Sequence, residues 1–137
     1  MMNVTQELES RFLLSLHRIK SEIEVESPQI RATVRSIPIG SLTEYQGHSV
    51  GIECILPAVA SDMPDNLALI ITVKHLTTVP QIDSAGVYWG HPAGYVEVEL
   101  FPDSIVFSHA ALDEIESSLP KLLEHLKVAI KRGRPPD

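Results

Sequence analysis

The sequence predicts an α+β fold: a mainly antiparallel sheet of about five or six strands, with an N-terminal and a C-terminal helix packed on one face. Three observations lead there. Apolar residues recur at helical spacing at both ends of the chain, and between those ends the apolar period falls to two. The connections between the central apolar stretches are also too short to hold crossover helices, so neighbouring strands must run antiparallel.

Asn3 is placed to cap the first helix, with Gln6 three positions on. Leu8, Phe12, Leu16, Ile19 and Ile23 then follow at spacings of four, four, three and four, which predicts a helix over about 4–25. Leu13 widens the apolar stripe, and Ser27-Pro28 ends the helix because the residue before proline avoids helical torsions. From Gln29 the pattern changes. Ile30, Ala32 and Val34 alternate with Arg31, Thr33 and Arg35 in a half-buried strand that Pro38 and Gly40 are expected to close. After the polar connection SLTEYQGH, Val50, Ile52, Cys54 and Leu56 mark a second strand, stopped by Pro57. Residues 57–66 read as a loop, and Leu67 to Lys74 (LALIITVK), the most apolar strand, belongs at the centre of the sheet. Thr77 to Ala85 reads as another loop around Pro80.

Val87 to Trp89 and Tyr95 to Leu100 then form a hairpin joined by Gly90-His91-Pro92-Ala93-Gly94, whose glycines permit the reversal. Strict alternation gives Val96, Val98 and Leu100 one face and Tyr95, Glu97 and Glu99 the other. Phe101 to Ser104 makes a turn, and Ile105 to Phe107 is a short last strand. Ser108 starts the final helical region, with Leu112, Ile115, Leu119, Leu122, Leu126 and Ile130 as its apolar stripe down to Gly133. Pro120 either kinks this helix or divides it, with Ser117 or Ser118 capping a second piece. Lys127, Lys131 and Arg132 complement the dipole at its end. The expected organisation is a single domain over 1–132 and a loose tail over 133–137. With both helices on one face, the other face of the sheet is left to solvent, a layout that suits binding.

The 137 residues fit one domain with a core of its own. Cys54 is the only cysteine, so no intrachain disulfide is possible, which fits a reducing compartment. No apolar run approaches the ~20 residues that span a bilayer. The start, MMNVTQELESRF, lacks the basic opening and apolar stretch of a signal peptide, and a cytoplasmic protein is expected. The net charge of −7 is unevenly spread. Residues 1–120 carry six Lys/Arg against sixteen Asp/Glu, a balance of −10, and residues 121–137 carry five against two, or +3. From His75 to Pro120 there is no Lys or Arg, while Asp83, Glu97, Glu99, Asp103, Asp113, Glu114 and Glu116 all fall there. A surface of one sign repels nucleic acid and attracts a basic protein partner.

Residue patterns for chemistry are sparse. The six histidines, His17, His48, His75, His91, His109 and His125, form no HxxxH or HExxH pair and have no partner cysteines, so neither a metal nor a cofactor is expected. No GxSxG, GxGxxG or Walker loop is present, and Cys54 reads as a small buried hydrophobe, so no catalytic residue is assigned. Glu97 and Glu99 would stand about 7 Å apart on one strand face, a pair more typical of a wet face than of acid–base work. Tyr88, Trp89 and Tyr95 gather beside the acidic strand, and such aromatics anchor protein interfaces; Trp89 is equally suited to core packing.

The run Trp89-Gly90-His91-Pro92, then Gly94 and Glu97, resembles a segment of small bacterial immunity proteins, which protect a cell from polymorphic or contact-delivered toxins. The compact, acidic α+β plan is similar to theirs. The resemblance implies a non-enzymatic inhibitor that binds a cognate toxin, often a basic nuclease, by complementary charge. The expected partner surface comprises Glu97, Glu99, Asp103, Asp113, Glu114 and Glu116, with Tyr88, Trp89, Tyr95 and His91 beside it. The partner is a basic protein, with neither nucleic acid nor membrane involved, and the chain is a monomer or a homodimer paired through a sheet edge. The alternative is a small-molecule-binding protein or enzyme with a pocket near the GHPAG hairpin, using His91, Glu97 and Glu99.

Overall fold

The computed structural model describes residues 3–41, 45–57, 66–75, 79–90 and 94–136. The elements are α1 (Val4–Glu26), β1 (Arg31–Ser41), β2 (Tyr45–Ile55), β3 (Asn66–His75), β4 (Pro80–Trp89), β5 (Tyr95–Glu99), β6 (Ile105–Val106) and α2 (His109–Arg132). The strands form one antiparallel sheet in the order β1-β2-β3-β4-β5, with β6 also pairing β4. β5 lies along Gly86–Trp89 and β6 along Gln81–Ile82, so the two share one edge of β4. Helix α1 covers β1 and β2, and α2 covers β3, β4 and β5. This is the α+β arrangement that the periodicities imply, with the apolar β3 in the middle.

Both helices are set by their ends and their stripes. The Asn3 side chain accepts the Gln6 N–H at 2.9 Å, and Val4, Leu8, Phe12, Leu16, Ile19 and Ile23 are buried beneath α1. Ser108 caps α2 by accepting the Ala111 N–H, and Gly133 stops it in the left-handed conformation at φ 77°, with its N–H bonded to the Ala129 carbonyl. The helices run parallel. Arg11 near the start of α1 pairs with Asp113 and Glu116 near the start of α2, and Lys127 near the end of α2 pairs with Glu22 and Glu26 near the end of α1. These two clamps lie about four turns apart along the interhelical seam.

Three local expectations are revised. The first strand does not close at Pro38 but continues to Ser41, because an edge strand tolerates proline where no donor is needed. The stretch around Pro80 is not a loop up to Ala85; Pro80 is the first residue of β4, and Ile82 already lies in the core. A bulge hides that strand from a period-two reading: Thr72 pairs Ser84 while Val73 pairs Ile82, leaving Asp83 as the extra residue and shifting the parity of the buried positions. A second bulge breaks the alternation of β5, where Val98 pairs Val87 but Val96 pairs Tyr88, and Glu97 is left between them. Of the two readings of Pro120, the single helix is the one observed: α2 runs through it, with Leu119 and Leu122 buried on either side. The helix is extended there because its apolar stripe is anchored on both sides of the proline.

Proline at 120 removes the donor that would otherwise reach the Glu116 carbonyl. Its own side chain is exposed. Pro120→Ala should therefore raise stability by about 1–3 kcal/mol in urea unfolding. An unchanged midpoint would mean that this turn is already relaxed around the missing bond.

Candidate functional site

The uncovered face of the sheet follows from the register. Val50, Ile52 and Cys54 of β2, Leu67, Leu69 and Ile71 of β3, and Ala85, Val87 and Trp89 of β4 are buried under the helices. Alternation turns Ser49, Gly51 and Glu53, then Ala68, Ile70 and Thr72, then Ser84, Gly86 and Tyr88, to the opposite side. The middle of this face is thus a low floor of small side chains, across which the Thr72 hydroxyl donates to Ser49 at 3.0 Å. A shallow depression of about 110 Å³ opens over Gly51 and Ala68, walled by Arg35, Ile37, Glu53 and Ile70. Charges stand at the rim in matched pairs, Arg35 with Glu53 at 3.6 Å and Lys74 with Asp83 at 2.9 Å.

At the β4–β5 end, Tyr88 lies over Gly86. A Cβ on that glycine would sit 2.1 Å from the Val98 carbonyl oxygen and 3.0 Å from the Tyr88 hydroxyl, so only glycine leaves room for the ring. The Tyr88 hydroxyl donates to Glu99 at 3.4 Å. Burial, and after it the nearby Glu99 carboxylate, pushes the Tyr88 phenol up to about 12.

Glu97 does not share this face with Glu99. Consecutive residues Tyr88 and Trp89 point to opposite sides of β4, and each receives one of the two carboxylates. The bulge turns Glu97 toward the helices, where it accepts the Trp89 indole N–H at 2.6 Å and pairs with Arg132 at the end of α2. Its side chain is only 10% exposed. Trp89 is itself core, among the largest fully buried side chains, with its one donor satisfied. These three residues form an internal tie between the hairpin and the last turn of α2. The other expected site residues are dispersed. Asp113 and Glu116 bind Arg11 at 2.6 and 2.5 Å, Glu114 is exposed on α2, and Asp103 is exposed in the turn before β6. Tyr95 is 40% exposed on β5. His91, with Pro92 and Ala93, lies outside the described residues; of the two glycines flanking them, Gly94 takes a positive φ of 59° and Gly90 does not. Because Glu97 and Glu99 occupy opposite faces, they do not line one pocket together.

Sequence patterns did not single out a part-buried chain of polar groups under α1. Ser36 of β1 donates to Glu9 at 2.8 Å, and its Oγ lies 2.7 Å from His48 Nε2. His48 is buried. The signal was present, since period two places His48 on the same side as Val50, Ile52 and Cys54. A hydroxyl has one proton. With Glu9 ionised that proton goes to the carboxylate, so His48 donates to Ser36 rather than taking its proton, the reverse of a base-activated nucleophile. The chain ties α1 to β1 and β2. Burial also pushes the Cys54 thiol up to about 12, away from nucleophilic use. Among the described residues no cluster of three His, Cys, Asp or Glu could hold a metal ion, and no helix is long and apolar enough to cross a membrane.

Two measurements test these assignments. Glu97→Ala leaves the buried Trp89 indole donor without an acceptor and Arg132 without its carboxylate, and should cost about 2–4 kcal/mol, whereas Glu114→Ala should stay within about 0.5 kcal/mol. Equal effects would mean that the tie is not structural. For Tyr88 the folded phenol is raised above the ordinary value near 10, so an unfolded chain releases that proton first. Its contribution to stability is complete below pH 10 and is lost as pH rises from about 10 to about 12. An absorbance titration should show a phenolate component near 12 that is absent from Tyr88→Phe.

Compared with family models, with curated proteins and with solved structures, the chain matches none.

Proposed function

We propose that the chain is a non-enzymatic protein-binding module, an immunity-type inhibitor that neutralises a cognate basic toxin. The observation that carries this reading is the uncovered sheet face, with its low floor at Gly51, Ala68 and Gly86 and with Tyr88 and Glu99 side by side at one end. A floor of small side chains lets a partner approach the main chain closely, and a half-buried tyrosine with a carboxylate at its tip supplies both apolar area and a polar anchor. The net charge of −7 favours capture of a basic protein by long-range steering.

Of the six expected carboxylates, Glu99, Asp103 and Glu114 make no ion pair among the described residues, and the acidic contribution comes from these three. Glu97, Asp113 and Glu116 hold the fold through Arg132 and Arg11, and Trp89 acts from the core by fixing β4. Tyr95, exposed on β5, is the further aromatic candidate of this reading. The module works in the cytoplasm, where its single thiol stays reduced.

A pull-down from lysate of the source cells at low salt should retain one basic protein in stoichiometric amount. The triple change Glu99→Lys, Asp103→Lys, Glu114→Lys should slow association with it by at least about tenfold at low salt and much less at about 0.5 M salt. An unchanged association rate would remove the acidic surface from the interface. Retention of no basic protein would remove the inhibitor reading.

A further inference from the structure

β1 forms one border of the sheet: β2 pairs it from Arg31 to Ser41, and no described strand pairs its other side. Which of its backbone groups face outward follows from the ladder. Gly90 N–H donates to the Asn66 carbonyl at 2.9 Å, so Asn66 and the even-numbered residues of β3 aim their backbone groups at β4. The odd-numbered ones aim at β2. Carried through the β2–β3 and β1–β2 registers, the alternation aims odd-numbered β1 residues at β2 and leaves Ala32, Val34, Ser36 and Pro38 pointing out. Pro38 agrees with this parity, since it has no N–H and an outward position requires none. Ala32, Val34 and Ser36 therefore offer an N–H and a C=O each along a straight edge.

The side chains over this edge have one sign. Arg31 and Arg35 are the only charged residues of β1; both are exposed on the uncovered face, four positions apart. Arg35 reaches Glu53 at 3.6 Å, and Arg31 makes no ion pair among the described residues. On the helix side, the Glu9 carboxylate is already bound by Ser36. A locally basic edge on an acidic protein is a contrast that a partner can read.

We propose that β1 is a docking edge for an extended acidic segment of another protein, which adds to the sheet as a further strand. Main-chain bonds to Ala32, Val34 and Ser36 supply the affinity, and two acidic side chains four residues apart meet Arg31 and Arg35. Pro38 ends the docked region by withholding a donor. A second copy of this chain is the poorer occupant, because pairing β1 with its own symmetry mate would set like charges beside one another. A basic segment is repelled for the same reason. The site lies at the opposite border of the sheet from Glu99, so it goes beyond the inhibitor reading and stands or falls separately from it.

The test uses the whole protein, labelled with ¹⁵N, and a capped peptide of alternating valine and threonine with two glutamates four positions apart. Amide exchange at Ala32, Val34 and Ser36 should slow by about tenfold or more as the peptide saturates. The same peptide N-methylated at the residues between and beside the glutamates, whose amides would face Ala32, Val34 and Ser36, should not bind, a control that needs no variant. Arg31→Glu with Arg35→Glu should weaken binding by about tenfold or more, and both positions are exposed, so the fold is kept. The proposal is overturned by absence of binding at millimolar peptide, by equal binding of the methylated peptide, or by equal binding of a peptide with lysines in place of the glutamates. It is also overturned if these three amides are already protected, without peptide, in a protein that sediments as a dimer, which would make a second copy the occupant.

Discussion

Every strand of this protein must bury one side and only one, and two helices must suffice to close that side. Parallel orientation lets them do so. α1 lies over β1 and β2 and α2 over β3 to β5, so each strand's apolar residues meet one stripe rather than competing for both. The apolar contacts are non-directional and would tolerate some sliding of one helix along the other. The cross-helix pairs of Arg11 and Lys127 fix that register, and the chain Glu9–Ser36–His48 and the tie Trp89–Glu97–Arg132 fix each helix to the strands beneath it.

The same constraint explains where the charges went. The segment without a cation from His75 to Pro120 is acidic in sequence, yet cations from elsewhere in the chain reach into it. Lys74 meets Asp83, Arg11 meets Asp113 and Glu116, and Arg132 meets Glu97. Much of the apparent excess is thus internal pairing between distant parts of the chain. Of the carboxylates in that segment, Glu99, Asp103 and Glu114 are left without a cation among the described residues.

Local periodicity made most of the fold legible. The stripe from Leu8 to Ile23, the caps at Asn3 and Ser108 and the stop at Gly133 are local signals, and each corresponds to a bond or a buried side chain. The apolar density of residues 67–74 correctly put that strand in the middle. What was hidden was parity. A bulge adds one residue and reverses every later side chain, and nothing in a single strand's composition announces it; Asp83 and Glu97 are both such residues. The paired reading of Glu97 and Glu99 failed for that reason alone. His48 was legible by alternation, but its partners were not, because Glu9 and Ser36 come from elements that only the fold brings together.

The parallel helices have a geometric consequence for anything joined to the chain. α1 begins at the same end of the helix layer as α2, and α2 finishes at the far end, about 35 Å away along its axis. A segment attached ahead of Asn3 therefore leaves from one pole of the molecule and a segment attached after Gly133 from the other. Two fluorophores placed there would be separated by the length of the body, and tension applied between them would run along the helix axes, shearing the seam rather than peeling it open from one end.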